Sequence, residues 1–185
     1  MNADLLVYQA KAFYNAYIAL DQLSRDDSDT LLLLFAPLVV NGAFSAELAL
    51  KAILAKNQIE YGKEHNLLIL FQMLPKSFQQ ELWAYLIEKA PEYAGSEKGL
   101  DELILLSNAF VDWRYAFEGK PVPAIESRFL AAFANAAVHT MFSYYNADLL
   151  PATKTESNNE IEQRFHENRE KCKEINLKMI QKKTK

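Results

Sequence analysis

A few polar side chains on otherwise apolar segments are the residues of this chain that can do chemistry. Glu47 and Lys51 lie four residues apart in the apolar run 44–54, which is the spacing of an ion pair on one face of a helix. His65 opens the next apolar run, and Arg114 and Tyr115 close a later one. Guanidinium, ammonium and imidazole groups of this kind are suited to binding phosphate.

These residues have a functional and a structural interpretation. In the functional one, Lys51, His65, Arg114 and Tyr115 line a polar cleft that binds phosphate. In the structural one, the polar groups satisfy one another at an internal seam or a dimer interface, because buried polar groups need hydrogen-bond partners. On both interpretations Glu47 and Lys51 form a structural pair, since ionised groups on a core helix are costly unless paired.

The other residues with reactive side chains are isolated in the sequence. His65, His139 and His166 lack the spacing of a metal site, so we expect no metal. The five glycines form no phosphate-binding loop, and we expect no cofactor. Cys172 is the only cysteine and cannot form an intrachain disulfide, which favours a reducing, cytoplasmic location.

Composition and charge limit the class of protein. The chain has 185 residues, half of them hydrophobic, with few glycines and prolines, which favours an all-α domain. The net charge of −4 is unevenly distributed. Residues 154–185 carry nine Lys or Arg against six Glu, whereas the rest carries 11 against 18 acidic residues. An acidic body argues against broad nucleic-acid binding but leaves room for a local basic site.

Hydrophobic periodicity and helix-breaking residues predict helices throughout. Pro37 either kinks the second helix or marks its first turn. Because Pro37 also interrupts the apolar run 31–40, we expect a buried core helix there and no membrane association. The predicted helices cover residues 6–20, 30–56, 65–74, 78–89 (capped by Ser77), 97–117 and 125–149, with a loop at 91–96.

The chain is expected to divide at residue 150. Residues 1–150 form the helical domain, and residues 151–158 form a polar linker. A charged amphipathic helix over residues 159–181 follows, packing either on its own domain or on another subunit. Its apolar seam consists of Ile161, Phe165, Cys172, Ile175 and Met179.

Three short motifs in this order resemble the HEPN family. They are Glu47-Leu-Ala-Leu-Lys51, His65-Asn-Leu-Leu and the segment from Asn108 to Tyr115, and the resemblance extends over residues 5–147. It implies an up-and-down helical bundle of four to five main helices that forms a homodimer. It also implies a role in RNA metabolism, phage defence or toxin–antitoxin pairing, with a nucleotidyltransferase or an antitoxin as a possible partner.

Many HEPN proteins are metal-independent endoribonucleases that carry an arginine followed, after four to six residues, by a histidine. Here the corresponding positions after Arg114 are Gly119, Lys120 and Pro121, and no histidine follows Arg128 at that distance. The resemblance therefore implies a non-catalytic module that binds a partner protein, a nucleotide or RNA.

A divergent endoribonuclease is the alternative. It would combine Arg114 or Arg128 with His139 or His65 at a dimer cleft. Arg128 and His139 share a helix face but lie three turns, or ~16 Å, apart, which is too far for one site within a chain.

Overall fold

The computed structural model describes residues 3–25, 28–94, 96–115, 118 and 121–145. The chain divides into two compact units, Met1–Leu149 and Leu150–Lys185. The described residues all belong to the first unit. The predicted linker and C-terminal amphipathic helix lie outside them, so these two elements and the packing of that helix stay predictions.

Helices make up the architecture of the described part of the chain, and the predicted all-α bundle with four to five main helices is confirmed. Five helices are long, and two short ones, α3 and α6, connect them. The helices are α1 (Ala3–Ser24), α2 (Ser28–Lys56), α3 (Leu67–Met73), α4 (Lys76–Lys89), α5 (Ser96–Leu106), α6 (Ala109–Arg114) and α7 (Ser127–Tyr145), with a 3₁₀ turn at Pro91–Tyr93.

Helix α2 is the centre of the bundle and contacts α1, α3, α6 and α7. Its second half is buried on nearly every side, because neighbours surround it. Pro37 lies inside the helix rather than at its first turn. The segment Leu33–Lys56 is the one described helix that is long and apolar enough to cross a membrane by length and composition, and more than half of its most apolar stretch is buried in the protein.

Small residues allow the central helices to approach closely. A Cβ atom on Gly42 of α2 would lie 3.0 Å from side-chain atoms of Tyr17 in α1 and of Leu130 in α7. Helix α7 turns buried Ala132, Ala134, Ala136 and Ala137 toward its neighbours.

The predicted single helix over residues 97–117 is wrong. The structure has two helices there, α5 and α6, separated at Ser107 and Asn108. The Ser107 hydroxyl donates to the carbonyl oxygen of Ile104 at 2.6 Å, and the Ser107 carbonyl accepts from the backbone N–H of Leu67 at 2.8 Å. Hydrogen bonds of this kind replace the helical ladder, since serine and asparagine side chains compete with it.

Three smaller predictions also need correction. The residue that caps the start of α4 is Pro75, and Ser77 lies inside the first turn. His65 precedes α3 rather than opening it, because Asn66 is the N-cap. The predicted loop at 91–96 contains the 3₁₀ turn.

Candidate functional site

Glu47 is a buried carboxylate in the middle of α2. It is 1% exposed, and Lys51, one turn further on, is 8% exposed. The Lys51 ammonium donates to Glu47 Oε1 at 2.7 Å. The i,i+4 spacing on a helix places the two groups together, and the pairing offsets part of the cost of removing each charge from water.

The second group on this carboxylate is the imidazole of His65. Its Nδ1 lies 2.9 Å from the same oxygen, Glu47 Oε1, and about half of the side chain is exposed. Because an ionised carboxylate only accepts hydrogen bonds, Nδ1 carries the proton in this contact. Nε2 is then the ring nitrogen that remains for a ligand.

The start of α3 holds His65 in this place. The Asn66 side-chain oxygen accepts from the backbone N–H of Ile69 at 3.0 Å, which caps the helix. Its amide nitrogen donates to the Asn108 side chain at 3.1 Å. Glu64 Oε1 accepts from the backbone N–H groups of His65 and Asn66 at 2.9 and 2.7 Å.

Helix α6 brings Arg114 and Tyr115 to the same surface. The Phe110 ring stacks on Phe44 of α2 with centroids 4.3 Å apart, and its centroid lies 6.2 Å from that of His65. The exposed Arg114 guanidinium sits 4.7 Å from the Phe110 ring centroid and 4.6 Å from that of Tyr115. We call Lys51, His65, Phe110, Arg114 and Tyr115 the His65–Arg114 face.

Tyr61 completes the inner side of this surface. The Lys51 ammonium lies 5.4 Å from the Tyr61 ring centroid. Burial, and secondly the negative charge of Glu47, raise the pKa of the Tyr61 phenol. The phenol therefore stays protonated at neutral pH.

Exposure increases outward across the His65–Arg114 face. Glu47 is enclosed, Lys51 is nearly so, His65 is half-exposed and Arg114 is exposed. The second carboxylate oxygen of Glu47 is buried and makes no hydrogen bond within the described part of the chain. The arrangement can orient an imidazole and offer a cation and the exposed Tyr115 ring to a ligand at the surface, with the buried Phe110 ring beneath them.

The structure brings together four predicted residues, Lys51 and His65 on Glu47, and Arg114 and Tyr115 beside Phe110. Arg128 and His139 lie elsewhere. Arg128 Nε pairs with Glu92 at 2.6 Å, whereas the His139 ring stacks on Tyr85 with centroids 3.8 Å apart.

An apolar groove of about 590 Å³ lies along α4, away from these residues. Phe71, Trp83, Ile87 and Leu100 supply its apolar lining, and Lys76 also lines it. The groove contains none of the residues predicted from the sequence to bind a ligand.

The comparisons with known proteins agree with the motifs. The family model of the HEPN domain matches residues 38–128. This part of the chain is therefore a HEPN domain, and such a domain is consistent with RNA-related or defence roles. No curated protein and no solved structure matches the chain.

The matched segment is shorter than the expected range of 5–147. It runs from α2 to the first turn of α7 and includes every member of the His65–Arg114 face. Helix α1 lies outside it.

Two contributors to the site were missed in the sequence. Phe110 supports both His65 and Arg114, and Asn108 ties the start of α6 to the start of α3. The Ser107-Asn108 pair was the available signal, since both residue types favour helix ends over helix interiors.

Proposed function

We propose that this HEPN domain is a non-catalytic module that binds RNA or nucleotides through the His65–Arg114 face. The observation that supports the proposal best is the placement of the exposed Arg114 guanidinium against Phe110, next to an imidazole oriented by Glu47. Guanidinium groups bind phosphate oxygens in a bidentate manner. Tyr115 is the exposed aromatic ring of the face, and an exposed ring can stack on a base without requiring a particular sequence.

The chemistry of the face also explains how local binding is compatible with an acidic chain. Lys51 is neutralised by Glu47, so Arg114 is the main cation at the exposed edge. A single strand bound there would make few phosphate contacts. We therefore expect modest affinity that falls with increasing salt, with a shallow slope.

Binding of a fluorescently labelled single-stranded RNA, followed by anisotropy, tests the proposal. Loss of a hydrogen bond to a charged group costs ~1.5–3 kcal/mol, so Arg114→Ala should weaken binding by about tenfold or more. Arg114→Lys should restore part of the affinity but not the bidentate contact.

Arg25→Ala is the matched control, because Arg25 is an exposed arginine that directly follows α1 and pairs with Asp21. It should bind like the wild type. Wild-type protein that binds neither RNA nor nucleoside triphosphates, or Arg114→Ala that binds as tightly as wild type, would refute the proposal.

A divergent endoribonuclease is the second candidate, and the Glu47–His65 contact favours it. A carboxylate on Nδ1 fixes the ring and its tautomer, so Nε2 can transfer a proton at a ribose hydroxyl or a leaving oxygen. Arg114 would stabilise negative charge on the phosphate.

Cleavage of labelled RNA in the presence of a chelator decides between the two candidates. A ribonuclease should lose activity in both His65→Gln and Arg114→Ala, while His139→Ala should retain it. If RNA remains intact with protein that binds it, the non-catalytic function stands.

We also propose that the protein acts as a cytoplasmic homodimer in phage defence, toxin–antitoxin pairing or RNA metabolism. A nucleotidyltransferase or an antitoxin would be its protein partner. Co-purification of the tagged chain with the product of an adjacent reading frame is the direct test. Recovery of the chain without such a product would argue against that partner.

A further inference from the structure

The apolar groove along α4 has a polar end and an apolar end. Its lining residues on α4 recur at intervals of three or four positions, which keeps them on one face of the helix. In chain order they are Lys76, Gln79, Gln80, Trp83, Ala84 and Ile87. Lysine and glutamine therefore lie at the start of the groove, and the apolar side chains follow. The distance along the helix from Lys76 to Ile87 is ~16 Å.

Neighbouring helices hold the apolar end in place. The ring centroid of Phe71 in α3 lies 5.8 Å from that of Trp83 and 6.4 Å from that of Phe133 in the core. Gly99 of α5 leaves room for the indole, since a Cβ atom there would lie 2.9 Å from Trp83 Cζ2. The next residue, Leu100, lines the groove and is 45% exposed. The apolar end is thus formed by the fold and does not require a ligand to assemble.

The polar end carries a positive charge with no carboxylate beside it. The Gln79 side-chain nitrogen donates to the backbone carbonyls of Gln72 and Leu74 at 3.0 and 2.7 Å, which joins the start of α4 to the end of α3. Gln79 Oε1 accepts from the exposed Lys76 ammonium at 3.1 Å, and this neutral group is its one polar contact within the described part of the chain. The ammonium has three donors, so its charge and two of its donors remain for an anion.

We propose that this groove binds a long-chain fatty acid, with the carboxylate at Lys76 and the hydrocarbon chain along Trp83 and Ile87. A cation at one end and apolar side chains along the rest match a molecule with one anionic head and one apolar tail. No residue that lines the groove is acidic, although the chain has a net charge of −4. The volume of about 590 Å³ lies within the range of ~300–1,000 Å³ that is typical of small-molecule sites.

The size of the groove favours a small molecule over a larger partner. A stable protein interface takes ~20–30 residues from each side, whereas eight residues line this groove. Attraction to an anionic membrane surface requires several clustered Lys or Arg residues, and Lys76 is the one basic residue of the lining. A single fatty-acid molecule taken from solution fits both observations.

Isothermal titration calorimetry of the full-length protein with octanoate, decanoate and dodecanoate, each below its micelle-forming concentration, tests the proposal. Each added methylene buries more apolar surface, so the affinity should rise by about two- to fourfold per methylene. Dodecyltrimethylammonium has the same chain length and the opposite charge. It should bind about threefold more weakly than dodecanoate or worse, because the ion pair with an exposed lysine is modest.

Two substitutions separate the head of the ligand from its tail. Lys76→Gln should weaken dodecanoate binding by about threefold and leave binding of the uncharged dodecanol unchanged. Ala84→Glu puts a carboxylate in the apolar end and should weaken both ligands by about tenfold or more. Both positions are exposed, so helical circular dichroism should stay close to wild type. The matched controls, which should bind like wild type, are Lys89→Gln at the end of α4 and Ala12→Glu at an exposed position of α1.

Three results would overturn the proposal. The first is the absence of binding by any of the fatty acids below its micelle-forming concentration. The second is dodecanoate binding by Ala84→Glu that is as tight as that of wild type, and the third is equal binding of dodecanoate and dodecyltrimethylammonium.

Co-sedimentation with vesicles of an anionic phospholipid distinguishes a free fatty acid from a membrane. Wild-type protein should remain in solution. Vesicle binding that Ala84→Glu abolishes would overturn the proposal, since the groove would then contact a lipid surface. The groove lies apart from the His65–Arg114 face, so the failure of this proposal and the failure of RNA binding are measured independently.

Discussion

The two longest helices depart from the usual distribution of polar and apolar residues in opposite directions. Helix α2 buries a glutamate and a lysine in the centre of the protein, where apolar residues are the rule. Helix α1 exposes leucines, a tyrosine and alanines where charged residues are the rule. The pattern of each helix can be explained only from the residues that pack against it.

The difference between them lies in where the compensation comes from. The charges on α2 find partners inside the chain, since Lys51 and His65 both contact Glu47 Oε1. On α1, in contrast, Leu5, Tyr8 and Leu23 are each more than half exposed. The charges on α2 are therefore compensated within the chain, whereas the apolar side chains on the outer face of α1 remain exposed.

The family match divides the two helices in the same way. Residues 38–128 contain the buried pair and the His65–Arg114 face, but not α1. The polar framework thus belongs to the HEPN domain itself. The exposed apolar residues of α1 lie outside the matched segment.

The largest effect should come from removing one member of the buried pair. Glu47→Leu or Lys51→Met alone leaves an uncompensated charge in the core and should cost ~3–5 kcal/mol of unfolding free energy. The double variant Glu47→Leu/Lys51→Met should be nearly neutral. His65 then loses its partner, but its half-exposed ring remains hydrated. Urea denaturation monitored by circular dichroism measures all three.

The decisive result is strong non-additivity, in which the double variant loses much less unfolding free energy than the two single variants added together. Single variants that each lose less than about 0.5 kcal/mol would mean that water reaches the pair. The conclusion that α2 carries a buried and compensated charge pair would then be wrong.

Much of the fold follows from the sequence because it depends on local signals. The apolar periodicity and the breaks around residues 57–64 and 119–123 predicted most of the long helices and the burial of α2. The pairing of Glu47 with Lys51 needs only their spacing on one helix. The residue types placed His65 in one cleft with Lys51, but its contact with the Glu47 carboxylate was not predicted, since it joins residues 18 positions apart.

The break at Ser107 could not be found from periodicity. Residues 97–117 keep a helical pattern on both sides of it, and the break is stabilised by contacts with a distant segment, the Leu67 N–H and the Asn66 side chain. Phe110 was overlooked for the same reason. Its stacking on Phe44 is a tertiary contact that no local rule predicts.

The next effect concerns how firmly His65 is held against α2. Asn66→Ala removes both the cap of α3 and the bond to Asn108, and should cost ~0.5–2 kcal/mol. It should also weaken RNA binding, because His65 and α6 lose a common anchor. Asn66→Asp keeps an oxygen to cap the helix and should recover most of the stability. Equal losses in both variants would show that the Asn108 contact matters more than the cap.

A single charge buried beside α2, such as an ionised Tyr145, should destabilise the protein more than the paired charges of Glu47 and Lys51 do. The buried Tyr145 hydroxyl donates to the Ala52 carbonyl of α2 at 2.9 Å. Burial, and secondly Asp4, raise the pKa of Tyr145 to about 12. An unfolded tyrosine ionises near pH ~10. The stabilisation is therefore complete below pH ~10 and is lost between pH ~10 and 12.

Tyr145→Phe separates this contribution from the rest of the protein. At neutral pH it should cost about 1 kcal/mol through the lost hydrogen bond. Between pH 10 and 12 its stability should fall less steeply than that of wild type. Some slope should remain, because burial also raises the pKa of Tyr17 and Tyr93. Parallel pH profiles would show that Tyr145 does not stay protonated in the folded state.

The smallest effect should come from the charges at the end of α1. Arg25 pairs with Asp21 at 2.6 Å, but its side chain is 75% exposed. Because water screens exposed pairs, Arg25→Ala should change the unfolding free energy by less than about 0.5 kcal/mol. A larger loss that grows with protein concentration would instead place Arg25 in a contact between the subunits of the proposed homodimer, since only an interface makes stability depend on concentration. The same denaturation experiment at two protein concentrations therefore tests whether α1 is stabilised by its own charges or by the second subunit.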